Sequence, residues 1–379
     1  MTPKIRGKRL HIVGSIPQKC ELQVAQYGQS IVKNVTKAVL SNAGGLVVTL
    51  GAEPFLQGTE IAVIFDWTVL AVVDEISEYP NKKWPSSQGN PVIAVGFEDW
   101  ARRIPPHRKE LWNRLVADNK VELQVVPSEF SVGGIMRQEQ SKYGDILLTL
   151  GGQLGVYHLS QLYQASNKPV IPINLPFTIN EPTASELLAH HANKEPKDFF
   201  DYNPVASSIT AYSKLSLKNE LIDQECFSKY LIDFINHLPL PLAFYVRLLD
   251  PKNPDFAAVE NFFRSVVDAV ILKMGYQRFE METDFSEDIF MNVELFKKLN
   301  HSSLVIVDLT GVRPNCCLEL GFALGLGKKF ILTAQDGTKI PWDTTSIHFH
   351  FWKIDEENKQ RKDKFRQFIR KNINKNPLC

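Results

Sequence analysis

The strongest constraint on this chain is a set of short, almost wholly apolar runs, each stopped by glycine or a polar turn. In the first half these are Leu10 to Val13, Leu46 to Leu50, Pro91 to Val95, Lys120 to Val126, Asp145 to Leu150 and Lys168 to Ile173. Further along they are Leu242 to Val246, Ser303 to Leu309 and Lys329 to Thr333. A strand with one wet face alternates apolar and polar residues, whereas a strand without alternation is buried on both faces, as in a parallel sheet covered by helices. The intervening stretches have room for one crossover helix each, so the pattern is that of repeated βα units. Tyr79 to Pro91, dense in proline, glycine and serine, reads as a loop.

The 379 residues are too many for one such domain, since about 100–200 residues per domain is usual. Between 181 and 238 the β-branched runs stop, and a helical pattern passes through Cys226, Tyr230, Leu231, Phe234 and Ile235 until Pro239 and Pro241 break it. The expected architecture is therefore α/β. Two Rossmann-like three-layer domains with mainly parallel sheets, at 1–180 and 239–354, are joined by a helical connector at 181–238. A charged helical tail at 355–379 follows, with Phe365, Phe368 and Ile369 as its docking face. The second domain also has a helix from about Asp255 to Met274, stopped by Gly275.

Charge excludes some partners. Lys and Arg number 43 against 42 acidic residues, a net of +1, so nothing global attracts nucleic acid or an anionic membrane. Five cysteines without CxxC spacing argue against structural zinc and for a reducing, cytoplasmic setting, and the first twenty residues carry no leader-like apolar stretch. No apolar run approaches the ~20 residues of a membrane helix.

Three strand ends of the first domain carry glycine: Gly14-Ser15, Gly51, and Gly151-Gly152-Gln153-Leu154-Gly155. A glycine turn between strand and helix lets backbone amides approach a phosphate, and in open α/β sheets ligands bind beyond the carboxyl ends of the strands. These segments, with AlaGlyGly-LeuValValThrLeuGly and AspIleLeuLeuThrLeuGlyGly-x-x-Gly, resemble a SLOG domain over roughly residues 8–178. That fold is shared by Lonely Guy phosphoribohydrolases and the DNA-processing protein DprA. Lonely Guy enzymes read PGGxGTxxE, with a catalytic glutamate. Here Leu150 replaces the proline, and Tyr157, His158 or Leu159 takes the place of the carboxylate, which favours nucleotide sensing over hydrolysis. The candidate ligand residues are Gly14, Ser15, Gly51, Gly151, Gly152 and Gly155, with the side chains of Arg137 and His158. The blander readings are a solvated Arg137, a helix-face His158, Asp66 as a helix cap, and a solvated face for Arg102, Arg103, His107, Arg108 and Lys109.

In the second domain Val305 to Gly321 places Asp308 at the end of a strand, a Gly–Pro turn after it, Asn315 as a cap, and Glu319 one helical turn further on. Cleaving an N-glycosidic bond builds positive charge at the sugar, which a glutamate beside the anomeric carbon can stabilise or attack, while a second carboxylate orients a hydroxyl or moves a proton. Taken singly, each carboxylate leans toward the blander reading, Asp308 as a strand end and Glu319 on a solvated helix face. Together with Ala243 to Val246, Gly275-Tyr276, Ala323, Gly327-Lys328 and Pro341-Trp342-Asp343, the run resembles the nucleoside 2-deoxyribosyltransferase-like family, relatives of TIR domains, over about 241–353.

The resemblance implies that Glu319 is the catalytic carboxylate, that Asp308 and Asn315 belong to the pocket, and that Arg247, Asp284 and Asp343 contact substrate. Cys316 and Cys317 occupy variable positions of the motif and, with no histidine nearby in the sequence to activate them, read as packing residues; no metal or cofactor is expected. The segment Arg247 to Pro251 departs from the turn of many relatives, so substrate identity does not transfer. By analogy with bacterial antiphage effectors, a nucleotide-derived signal held by the first domain would activate cleavage of NAD or a free nucleotide by the second, in a homo-oligomer without nucleic acid or membrane partners. The rival expectations are a non-catalytic nucleotide receptor and an unregulated deoxynucleotide glycosidase or deoxyribosyltransferase.

Overall fold

The computed structural model describes residues 5–76, 90–127, 132–177, 181–200, 206–215, 223–280, 290–340 and 347–373. The chain divides into two compact units, Met1–Pro239 and Leu240–Cys379.

The first unit carries β1 (Arg9–Ser15), β2 (Gly45–Thr49), β3 (Val92–Phe97), β4 (Glu122–Val126), β5 (Ile146–Gly151) and β6 (Val170–Ile173). They form one sheet in the order β4-β3-β2-β1-β5-β6, with every pairing parallel. Strands β3 and β5 are buried at every residue, as their lack of alternation requires. The helix Leu22–Ser41 covers one face of the sheet because Val24, Ile31, Val32, Val35 and Val39 recur at helical spacing and are all buried. Because β1 pairs with β2 on one side and β5 on the other, successive connections leave β1 in opposite directions, which opens a crevice between the β1 and β5 ends.

The helices expected as a connector lie inside this unit. Leu188, Ala192, Phe199, Tyr212, Phe227, Leu231 and Phe234 share its apolar core with Leu10, Val35 and Trp67. The sequence pattern identifies these helices correctly as helices. It does not reveal that their apolar face is turned toward a sheet whose strands lie far earlier in the chain.

The second unit carries β7 (Leu242–Val246), β8 (Gln277–Glu280), β9 (Leu304–Asp308), β10 (Phe330–Gln335) and β11 (Phe349–Trp352), all parallel, in the order β11-β10-β9-β7-β8. This is the flavodoxin-like order, whose crevice lies between the first and third strands, here β7 and β9. The helical stretch after β7 runs from Phe256 to Met274 and contains a π turn at Phe263–Val267. Gly275 ends it at φ 84°, in the left-handed region, as the sequence predicts. The tail helix Asn358–Asn372 belongs to this unit, with Phe365 and Ile369 fully buried beside Phe262 and Trp352.

Candidate functional site

In the first unit the predicted glycines do gather at the β1–β5 crevice. Ser15 pairs with Gly151, and the Gly152 amide donates to the Ser15 carbonyl at 2.9 Å. Gly14 and Gly151 are required by packing: a Cβ on Gly14 would lie 1.8 Å from the Leu150 carbonyl oxygen, and one on Gly151 2.3 Å from that of Ser15. The close approach of two backbones, with φ of 64° and 73° at Gly151 and Gly152, admits no side chain. Gly51 differs, having nothing within 4 Å of its Cβ position, so its freedom is not consumed by neighbours.

Arg137 and His158 meet, with Arg137 Nε donating to His158 Nδ1 at 3.0 Å. The guanidinium is within 3.0 Å of a Cβ built on Gly133 and 3.3 Å of one built on Gly155. Those glycines open the helices Gly133–Tyr143 and Leu154–Ala165, so a cation rests against the positive ends of two helix dipoles. No carboxylate among the described residues pairs with it. An arginine held in such a field favours an anion.

Asp66 is the first residue of the helix Asp66–Glu75 and not its cap, a position held by Phe65 without a side-chain cap bond. Its Oδ1 accepts the Thr49 amide at 2.6 Å, at the carboxyl end of β2, and burial pushes its carboxyl up to about 6. Gln140 donates to the Thr49 hydroxyl at 2.5 Å. Arg108 is spoken for: it forms a two-pronged pair with buried Glu53, which also takes His107, all at 2.7 Å. Burial opposes charge on Glu53, but the bonds to Arg108 and His107 outweigh it and hold the carboxyl below its ordinary range.

In the second unit Glu319 lies on the helix Pro314–Gly325, partly buried, with no hydrogen bond or ion pair among the described residues. Burial pushes its carboxyl up to about 7. Such a group is poised between charge states near neutrality, as acid–base and nucleophilic carboxylates are. Asn315 is exposed one turn earlier. It is not the cap: the helix starts at Pro314 after Arg313, because proline's missing N–H and fixed φ suit the first helical position.

Asp308 sits beneath the site rather than on its surface. It is fully buried; one oxygen accepts the Thr310 amide at 3.0 Å, the other Thr333 Oγ1 at 2.7 Å and Trp352 Nε1 at 2.9 Å. Burial raises its pKa against these donors. It clasps the ends of β9, β10 and β11 together. In Asp308→Asn an amide N–H must face one of those donors, and the expected loss is roughly 1–3 kcal/mol in urea unfolding, larger than for an exposed carboxylate.

Arg247 is also buried, with Nη1 2.5 Å from Glu260 Oε2 and its guanidinium over Phe263 at 5.3 Å. It braces the end of β7 against the π turn. The loop after β7 approaches the loop after β9 where a Cβ on Gly311 would meet Asp255 Oδ2 at 3.4 Å. Beside it Val312 takes φ 43°, an unusual conformation for a β-branched residue. Asp284 and Asp343 lie outside the described residues. Burial pushes the Cys316 thiol up to about 12, the state of a packing residue rather than a nucleophile.

Sequence reasoning treats Asp66 as a helix start and does not single out Gln140 or Asp255. Their placement depends on which strand ends lie abreast, and no local spacing encodes that. Cavities of about 430 and 440 Å³ lie elsewhere in the first unit, the larger lined by Asn174, Glu186, His190, Asn193 and Lys194. Among the described residues no cluster of metal-ligand side chains occurs, and no helix is long and apolar enough to cross a membrane.

A solved structure of DNA processing protein A from Helicobacter pylori, studied for single-stranded DNA binding, aligns over 62% of this chain and 84% of its own. At 13% identity and a TM-score of 0.34 the likeness carries no argument. No curated protein matches. The family model described as "ATP nucleosidase Cap17-like, N-terminal" matches residues 5–223, more than half of the sequence and nearly the whole first unit. By that match the chain belongs to the family of Cap17-like ATP nucleosidase N-terminal domains.

Proposed function

We propose that the protein is a nucleotide N-glycosidase in which the crevice of the second unit, with Glu319 as its reactive carboxylate, performs the cleavage, and the glycine crevice of the first unit holds a nucleotide-derived signal. The family's name supports nucleosidase chemistry in general, with ATP or NAD as the substrates to try first. The observation that carries the reading is Glu319: a partly buried carboxyl, without a partner among the described residues and pushed up to about 7 by burial, on the helix that follows β9.

In the step itself the C1′–N bond breaks and the base leaves with its electron pair. The ionised Glu319 carboxylate stabilises the cation left at C1′ or bonds to it, and water then adds at that carbon, displacing the carboxylate where it has bonded and giving its proton to the base or to solvent. Asp308 keeps the strand ends in register below. Exposed Asn315, and Asp255 beside the turn at Gly311, would offer polar groups to the sugar hydroxyls. By analogy with antiphage effectors, signal binding would assemble a homo-oligomer and release this activity, depleting a nucleotide pool.

The test is to incubate the purified protein with ATP, NAD and other nucleotides, with and without cyclic or ADP-ribose-derived signals, across a dilution series, and to follow free base by chromatography. Base release that depends on signal and protein concentration is expected. No base from any nucleotide under any condition would overturn the reading in favour of a non-catalytic receptor.

A further inference from the structure

We infer that Arg313 is the phosphate-recognising residue of the second unit, so that the Glu319 site takes a sugar carrying a phosphate in preference to the bare nucleoside. This rests on the N-glycosidase reading of that site and adds to it the residue that reads the phosphate.

Two arginines stand in the loops that follow β7 and β9, and they are held differently. Arg247, next after β7, is buried and neutralised by Glu260. Arg313 lies in the turn between β9 and the helix Pro314–Gly325, is partly exposed, and makes no side-chain hydrogen bond or ion pair among the described residues. Carboxylates are not lacking nearby. Asp308 ends β9, Asp255 Oδ2 would lie 3.4 Å from a Cβ on Gly311, and Glu319 belongs to the helix that Arg313 precedes, yet none of them takes the guanidinium.

The backbone accounts for this separation. Gly311 and Val312 are both left-handed, at φ 74° and 43°, and the Val312 amide closes the turn on the Leu309 carbonyl at 2.9 Å. A β-branched residue in that conformation is strained, and such strain gathers at ligand clamps. Pro314 then keeps Arg313 extended, at φ −76° and ψ 137°, because the proline ring disfavours the helical form in the residue before it. Arg313 is therefore presented at the start of the helix rather than wound onto its surface.

Glu319 follows about 9 Å further along the helix axis, and helical side chains lean toward the N-terminus, which brings its carboxyl back toward the turn. The Cys316 thiol lies within reach of both charges: burial is the main cause of its raised pKa, Glu319 adds to it, and Arg313 opposes it.

A nucleotide has the matching pair of groups. Glu319 answers the positive charge that grows at C1′, and the phosphate on the other side of the sugar needs a cation that no carboxylate of the protein already holds. A guanidinium meets two phosphate oxygens with parallel N–H donors, and the positive end of the helix dipole adds to its field. A nucleoside leaves Arg313 in water, so the contact favours the phosphorylated substrate alone.

The experiment uses the full chain carrying Glu319→Gln, to suppress turnover, with ATP and adenosine titrated calorimetrically before and after Arg313→Ala. Gly155→Asp, added separately, marks any event that belongs to the first unit. The expected result is an ATP event, insensitive to Gly155→Asp, that weakens at least about tenfold in Arg313→Ala while adenosine affinity stays within about twofold. Arg313→Lys should restore part of the loss, and the ATP affinity of Arg313→Ala should fall less steeply with added salt, a change that a merely structural arginine does not produce. With Glu319 intact, kcat/KM for base release should show the same split between ATP and adenosine. ATP binding unchanged by Arg313→Ala, or an equal loss of ATP and adenosine with the salt dependence preserved, would overturn the inference while base release still supported the N-glycosidase reading. Arg313-dependent ATP binding in a protein that frees no base from any nucleotide would instead sink the catalytic reading and keep the phosphate contact.

Discussion

Glu319→Gln is expected to suppress base release at least about a thousandfold, equivalent to ~4 kcal/mol of transition-state stabilisation, while leaving substrate affinity within a few-fold. Glutamine fills the same volume and cannot carry the charge that answers the cation at C1′. In the wild type kcat/KM should rise with pH through about 7 as the carboxyl ionises, and the residual activity of the variant should lack that limb.

The same substitution should stabilise the fold. The folded carboxyl titrates at about 7 against an ordinary value of 4.5, so between those pH values the native state keeps a proton that the unfolded chain has released. Stability contributed by this group is greatest at low pH and falls as pH rises through that window. Above pH 7 the glutamine variant escapes the cost of a recessed charge, a gain of up to about 3 kcal/mol, and near pH 4 it gains nothing. Denaturant midpoints at pH 4, 6 and 8 would measure this. An inactive variant whose stability matches wild type at every pH would assign Glu319 a site role without the burial argued here; full activity would exclude it from catalysis.

Gly155→Asp is the second large effect, expected to weaken nucleotide binding to the first unit by at least tenfold with little loss of Tm. The added Cβ meets only the Arg137 guanidinium, at 3.3 Å, and the end of a flexible side chain can yield. The new carboxylate would pair with Arg137 and place a negative charge at the helix start, against an incoming phosphate. Gly14 and Gly152 are poorer choices for this test. Backbone at 1.8 Å opposes any Cβ on Gly14, and Val156 at 2.3 Å opposes one on Gly152, so changes there would damage the fold and the site together. Calorimetry on Gly155→Asp, with a thermal melt as control, separates the two. Unchanged affinity would remove the two-helix junction from the ligand site.

Strand identity was legible because both sheets are parallel and covered, which forces continuous apolar runs such as Ile146–Gly151 and Leu304–Asp308. The edge strands Gln277–Glu280 and Phe349–Trp352 were not, being four residues long and mixed in polarity. The glycine turns were legible for a related reason, since only glycine permits the backbone approach they make. What the sequence could not convey is whether a carboxylate at a strand end faces the ligand or is enclosed by its neighbours. Asp308 and Glu319 look alike as parts of a motif. The first is enclosed by Trp352 and Thr333, which come from strands that follow it, and the second has no partner among the described residues. Arg247 reads as a substrate contact for the same reason, since Glu260, which faces it, comes from the helix Phe256–Phe262 further along the chain.

The helices between Ala184 and His237 bear on how such a module can be inherited. They close the apolar core that the sheet opens, so a gene segment ending at β6 would encode an unfinished hydrophobic surface, with Tyr163 and Ile171 deprived of Phe199, Tyr212 and Phe234. The portable unit is therefore sheet and helices together. A joint that leaves this core whole falls at the outer margin of the unit, near Pro239, where a change of partner domain need not reopen the β1–β5 crevice.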